Sequence, residues 1–164
     1  MSYELTLQNA KNISDVFEMV KKVVREFIGV DQAGLLVGVS DLGGSNQGFI
    51  GAFYSLDANM IIINKMPLSR IRDTKPQIYN YYLFHIMLHE YLHSIGSYDE
   101  EQTRQMVYEI SRNCFGEEHV VTKLATNMSA FIPNLLHPTE LPQIQDSNIE
   151  FIMGIDKSNT NYIN

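Results

Sequence analysis

From Thr74 to Gly96 the chain reads as one long helix, and that helix carries two histidines four residues apart. Thr74 stands as a candidate N-cap, Pro76 falls in the first turn, Gln77 completes a capping box, and Gly96 ends the pattern after Ile95. Residues four apart on a helix lie one above the other on the same face. His89 and His93 can therefore offer two imidazole nitrogens to a single ion at roughly 2 Å each. Glu90 follows the first histidine and is placed beside such an ion rather than as a ligand. There it could take a proton from a metal-activated water and pass it to a leaving group. Zinc would suit this work, because it lowers the pKa of a bound water from about 16 to about 7 and polarises a carbonyl. With the five histidines and eleven glutamates of this chain, an HExxH run arises by chance only about once in a hundred sequences.

The neighbouring elements follow from periodicity. Ile13, Val16, Phe17, Val20, Val23, Val24 and Phe27 recur at helical spacing from Asn12 onward, with Glu18, Lys21, Lys22, Arg25 and Glu26 on the other side. Ala33 to Val39 reads as a buried strand followed by a Gly- and Asn-rich loop. Phe49 to Tyr54 and Met60 to Asn64 read as two further strands joined in a hairpin across Leu56 to Asn59. After the histidine helix, a second helix is expected from about Asp99 to Cys114, then a short helical turn over Val120 to Thr126. The rest carries Pro133, Pro138 and Pro142 and reads as loop, with a late strand over Ile149 to Ile155 and a disordered polar tail over residues 156–164. One domain over residues 1–155 is expected, of α+β class. An N-terminal helix, a small mixed sheet, the metal helix packed across it and a helical C-terminal part would leave a cleft between the two parts.

Bulk properties narrow the partners. A chain of 164 residues with 45% hydrophobic and 10% aromatic content has ample material for one core. Its twelve basic residues are scattered among nineteen acids, for a formal charge of −7, which argues against a nucleic-acid partner. Met1 to Ala10 does not read as a secretory signal, and no run approaches the length of a membrane span. The lone Cys114 cannot form an internal disulfide, and its place on an apolar helix face reads as burial. A cytoplasmic protein without a membrane or nucleic-acid partner is expected.

The stretch His89-Glu90-Tyr91-Leu92-His93-Ser94-Ile95-Gly96-Ser97-Tyr98-Asp99 resembles the zincin metallopeptidases, and within them the metzincin pattern HExxHxxGxxH or HExxHxxGxxD. The resemblance implies zinc held by His89, His93 and Asp99, with Glu90 as general base and Gly96 as the sharp turn that returns the third ligand. It implies a peptide or protein substrate hydrolysed by a zinc-bound water, and a hairpin, Phe49 to Asn64, whose edge could receive an extended peptide. It also implies a methionine turn, for which Met128 is a candidate, core filling being the other use of that residue.

A helix directly after Asp99 is more similar to the gluzincin arrangement, in which a glutamate on the following helix is the third ligand. Glu100, Glu101 and Glu109 are then competitors, and His119 is a further one. Asp99 also suits the first turn of a helix, although Ser97 and Glu100 form a capping box that would leave its carboxylate free. The segment is similar, too, to an endoribonuclease helix reading HGxLHxxGyDH, but Glu90 stands at the glycine position and the acidic balance disfavours RNA. A zinc-containing binding or regulatory module with a blocked site is the other alternative. His85 lies about 12 Å along the axis from His93, too far to share one ion, and reads as a cleft wall. Tyr91 and Leu92 should face the core, and Tyr54 and Tyr98 are available to an oxyanion without the spacing selecting either. The segment from Pro133 to Asn164, with His137, Glu140, Asp146 and Glu150, could act as an intramolecular competitor for the metal; alternatively Ile149 to Ile155 adds only an edge strand.

Overall fold

A computed structural model of the chain describes residues 2–44, 48–133, 135–136 and 149–155. The helix expected from Asn12 is present as α2 (Ile13–Ile28), preceded by a short α1 (Tyr3–Gln8) that the periodicity did not announce. Asn12 caps α2 by accepting from the Asp15 N–H at 2.8 Å, and Gly29 ends it in the left-handed conformation at φ 80. Its apolar stripe, Val16, Phe17, Val20, Val23 and Val24, is fully buried. Two residues break the expected pattern. Phe27 is half exposed, and Lys21, placed on the polar side, is buried with its ammonium donating to the Ile155 carbonyl at 3.1 Å and pairing with Glu18 at 2.9 Å.

The sheet runs in the order β3 (Ala52–Ser55), β4 (Met60–Asn64), β1 (Leu36–Ser40), β6 (Glu150–Phe151). β3 and β4 form the expected antiparallel hairpin, β4 lies parallel to β1, and β6 is antiparallel to β1. The mixed sheet and α+β class are therefore as expected, although the first strand begins at Leu36 rather than Ala33, and Gly51 divides β3 from a separate short strand, β2 (Phe49–Ile50), which pairs with β5 (Leu135–Leu136). The hairpin turn is closed by Asn59, at φ 47, whose side-chain oxygen accepts from Tyr54 Oη at 2.8 Å and Gln32 Nε2 at 3.0 Å. β4 is buried on both faces. Ile61 and Ile63 join the main core, whereas Met60 and Ile62 pack with Phe53 on the other side.

Between β4 and the histidine helix lies α3 (Lys65–Thr74), which corrects the reading of Thr74 as an N-cap. Thr74 is the last residue of α3, and its hydroxyl donates back to the Arg70 carbonyl at 2.7 Å. A 3-10 turn (Pro76–Ile78) then leads into α4 (Tyr79–Ser94). α4 packs against β3, β4, α1, α2, α3, α5 (Glu100–Phe115) and α6 (Val120–Thr126). A helix buried on every side is mostly apolar all round, and every residue from Tyr82 to Leu92 is buried, with His85, His89 and Glu90 the exceptions to the apolar run. Tyr91 and Leu92 face the core as expected, Tyr91 lying edge-on to Phe17 at 5.6 Å. The short α7 (Met128–Phe131) follows α6. No helix among the described residues is long and apolar enough to cross a membrane.

Candidate metal centre

His89, Glu90 and His93 come from the last two turns of α4, and their ligand atoms all lie within 4.8 Å of one another. Gly96, at φ 113, then reverses the chain, and the Ser97 N–H donates to the Leu92 carbonyl at 3.0 Å, closing the helix end. This turn has a second effect. It brings the Ser97 carbonyl to 2.5 Å from His93 Nδ1. A carbonyl only accepts, so Nδ1 is the donor there and Nε2 is the ring nitrogen that faces inward, the arrangement by which outer partners orient metal-binding imidazoles. His89 Nε2 lies 3.2 Å from His93 Nε2.

The acid that meets these nitrogens is Glu100, the first residue of α5. Its carboxylate oxygens lie 2.7 Å from His93 Nε2 and 3.1 Å from His89 Nε2. Asp99 is used otherwise. Its carboxylate caps α5 by accepting from the Gln102 N–H at 2.9 Å. The expected capping box is absent because Ser97 Oγ turns instead to Thr103 Oγ1 at 2.7 Å. Four ligands around a tetrahedral zinc at about 2.0–2.1 Å stand about 3.3 Å apart, so the separations of 2.7 to 3.2 Å are near the edge lengths of such a site. Two inward imidazole nitrogens and a carboxylate form a donor set that a shared cation satisfies, and nitrogen and oxygen are the ligand atoms zinc accepts.

The competing ligands are occupied elsewhere. Glu101 points to solvent with Arg104 at 4.0 Å, and Glu109 accepts from Gln105 Nε2 at 3.0 Å on the exposed face of α5. His119 caps α6, with Nδ1 accepting from the Val121 N–H at 3.1 Å and Nε2 directed to Glu4 at 3.3 Å. His137, Glu140 and Asp146 lie outside the described residues. Glu150 stands on β6, at the opposite edge of the sheet from β3.

Glu90 is 7% exposed, and its carboxyl is held well above the usual carboxylate range by burial first and by the Glu100 carboxylate second. The backbone N–H of Tyr54 on β3 donates to it and opposes both. Sequence alone carried no sign of that contact, since it depends on how α4 crosses the hairpin. The Tyr54 hydroxyl is tied to the turn through Asn59, and its pKa is raised by burial and by Tyr98.

Beside His89 and Glu90 opens a cavity of about 230 Å³. Gly51 and Ala52 line it from the sheet side, His85 and Ile86 from α4, Arg104 and Val107 from α5, and Leu124 to Thr126 with Met128 from the C-terminal helices. It thus falls between the two parts of the fold, where a cleft was expected. Met128 is in its wall, at the start of α7. Cys114 lies away from it, its thiol pushed up to about 12 by burial and by Glu26. Compared with protein-family models, curated proteins and solved structures, the chain matches none.

Proposed function

We propose that the protein is a zinc-dependent peptidase of the zincin kind, with His89, His93 and Glu100 holding the metal and Glu90 as general base. The observation that carries this reading is the convergence of two imidazole nitrogens and the Glu100 carboxylate beside a buried Glu90 on the wall of a cavity. The order of hairpin, histidine helix, glycine turn and following helix supports it, and a glutamate from that following helix is the gluzincin manner of completing the site.

Zinc, when bound, would supply a Lewis acid for the scissile carbonyl and acidify water to a pKa of about 7. The chain does the rest. The Ser97 carbonyl fixes the His93 ring, and Glu100 adds the negative charge that a dication requires. The Tyr54 N–H orients the Glu90 carboxylate, while burial raises its affinity for a proton. With a cation held by His89, His93 and Glu100 that rise would be opposed, and Glu90 would lie closer to the range where it can take a proton from water and give it to a leaving nitrogen. β3 is the outer strand of the sheet and contributes Ala52 to the cavity, so an extended peptide laid along it would pass beside Glu90.

The test compares zinc-loaded wild type with Glu90→Gln on an unstructured peptide mixture. Wild type is expected to cleave, and the variant to keep its zinc and fold while losing at least ~10² in rate. Equal cleavage by both would remove Glu90 from the mechanism. Failure of the wild type to retain zinc would remove the metal on which the reading rests.

A further inference from the structure

Among the described residues that line the cavity beside Glu90, Arg104 is the one arginine or lysine. Glu100, Arg104 and Val107 are spaced four and three residues apart, so they share one face of α5. Arg104 stands one turn, about 6 Å, beyond the glutamate that meets the histidines. It lines the cavity together with Val107. Among the described residues its guanidinium makes no hydrogen bond, and its ion-pair contact, Glu101 at 4.0 Å, is at the limit of such pairs and involves a carboxylate 89% exposed. An exposed pair of that geometry contributes little and is easily exchanged.

The wall divides: Ala52, Ile86, Val107, Leu124 and Met128 make an apolar part, whereas His85, His89, Glu90 and Thr126 make a polar part. The Arg104 side chain is about half exposed at the mouth of this cavity, and a guanidinium there is suited to a carboxylate, which it can bind through two parallel N–H donors. The volume of about 230 Å³ is below the ~300–1,000 Å³ of pockets that enclose a whole drug-sized ligand, so the cavity suits one side chain or a chain terminus.

We infer that Arg104 is the specificity-determining residue of the site, selecting peptides that place a carboxylate in the cavity next to the scissile bond. This rests on the peptidase reading above. The carboxylate has two sources, an aspartate or glutamate side chain or the C-terminal carboxylate of the substrate, and the chemistry that recognises them is the same.

The test uses the full chain and matched short acetylated peptides carrying Asp or Glu against Asn or Gln, each with a free or an amidated C-terminus. Binding is measured by fluorescence anisotropy on zinc-loaded Glu90→Gln, and cleavage by mass spectrometry on the protein with Glu90 intact. A preference of at least about tenfold for the carboxylate peptides is expected in binding, falling to parity when Arg104→Gln is added, with zinc content and binding of the neutral peptides unchanged. Arg104→Glu should turn the preference toward lysine-bearing peptides. Loss of the preference on amidation assigns the cavity to a chain terminus, and its retention assigns it to a side chain. A preference that survives Arg104→Gln, or parity in the unsubstituted cavity, overturns the inference. Carboxylate-selective binding that depends on Arg104 without any cleavage would overturn the peptidase reading and leave the carboxylate site standing, whereas cleavage without charge preference would do the reverse.

Discussion

Glu100 reaches back from the first turn of α5 to within 2.7 Å of His93 Nε2, whereas Asp99, one residue earlier, is held by the Gln102 N–H. Two adjacent acids therefore have different tasks, and substitution separates them. Asp99→Ala removes a helix cap and should cost about 1 kcal/mol in stability with little change in zinc content. Glu100→Gln keeps the side-chain shape but removes the charge, and should weaken zinc binding by at least tenfold with little loss of stability. Thermal unfolding and elemental analysis of the two variants check this. The opposite outcome, zinc lost with Asp99 and kept with Glu100, would return the ligand role to Asp99.

This pair also shows how far the sequence could be read. His89, Glu90 and His93 are set by spacing on one helix, and the glycine turn after them is set by Gly96, so both were visible in the one-dimensional pattern. The choice between Asp99 and Glu100 was not. Both lie within one residue of the same helix start, and which of them caps depends on Ser97, whose hydroxyl is drawn to the buried Thr103. α3 was missed for a related reason. Only Pro67, Leu68 and Ile71 of its ten residues are buried, so its apolar period is too short to register, and Thr74 at its end carries the residue type of a cap. The Tyr54 contact to Glu90 joins two elements far apart in sequence and has no local signal at all.

The carboxamide of Asn64 makes a second prediction. This side chain is fully buried, accepts from the N–H groups of Leu42 at 3.0 Å and Met66 at 3.2 Å, and donates to the carbonyls of Gly43 at 3.0 Å and Ile50 at 2.8 Å. One residue thus caps α3 and fastens the loop after β1 to the strand before β3. Asn64→Leu leaves two donors and two acceptors without this partner and should cost roughly 2–4 kcal/mol in denaturant unfolding. Asn64→Asp keeps the accepting oxygen but sets a carboxylate against two carbonyls, and should be destabilising as well. A loss under about 0.5 kcal/mol for both would show that water replaces the hub.

The thiol of Cys114 should be slow to react. Burial and the nearby Glu26 push it up to about 12, so the folded protein keeps its proton where an unfolded chain, near 9, begins to lose it. Between those values the native state binds more protons than the unfolded state, and this group's contribution to stability must fall as pH rises. At pH 8 the thiolate is therefore much rarer in the folded chain than in the unfolded one. The higher nucleophilicity of a more basic thiolate offsets part of this, leaving alkylation at least tenfold slower than in denaturant. Equal rates in the two states would mean that the thiol is open to solvent.

The C-terminal strand gives the last prediction, because it decides what truncation does. β6 pairs with Gly38 and Val39 of β1, and the Ile152 N–H donates to the Val37 carbonyl at 2.9 Å. Beyond it, the Gly154 carbonyl accepts from Ser14 Oγ at 3.0 Å, the Ile155 carbonyl accepts from Lys21 Nζ at 3.1 Å, and the Ile155 side chain is buried. Gly38 permits this close packing, since a Cβ there would come within 2.6 Å of Ile149 Cγ2. These residues act as an edge strand, at the edge of the sheet opposite β3, and as a strap over α2, and none of them lines the cavity. Deletion from Ile149 onward should therefore remove roughly 3–5 kcal/mol of stability, from one buried isoleucine and several hydrogen bonds, and should leave peptide cleavage per folded molecule unchanged. Gly38→Val should mimic part of the loss by displacing Ile149. A deleted protein that is as stable as the full chain but cleaves faster would show that the C-terminal segment restrains the site after all, and would make release of that segment the step that opens it.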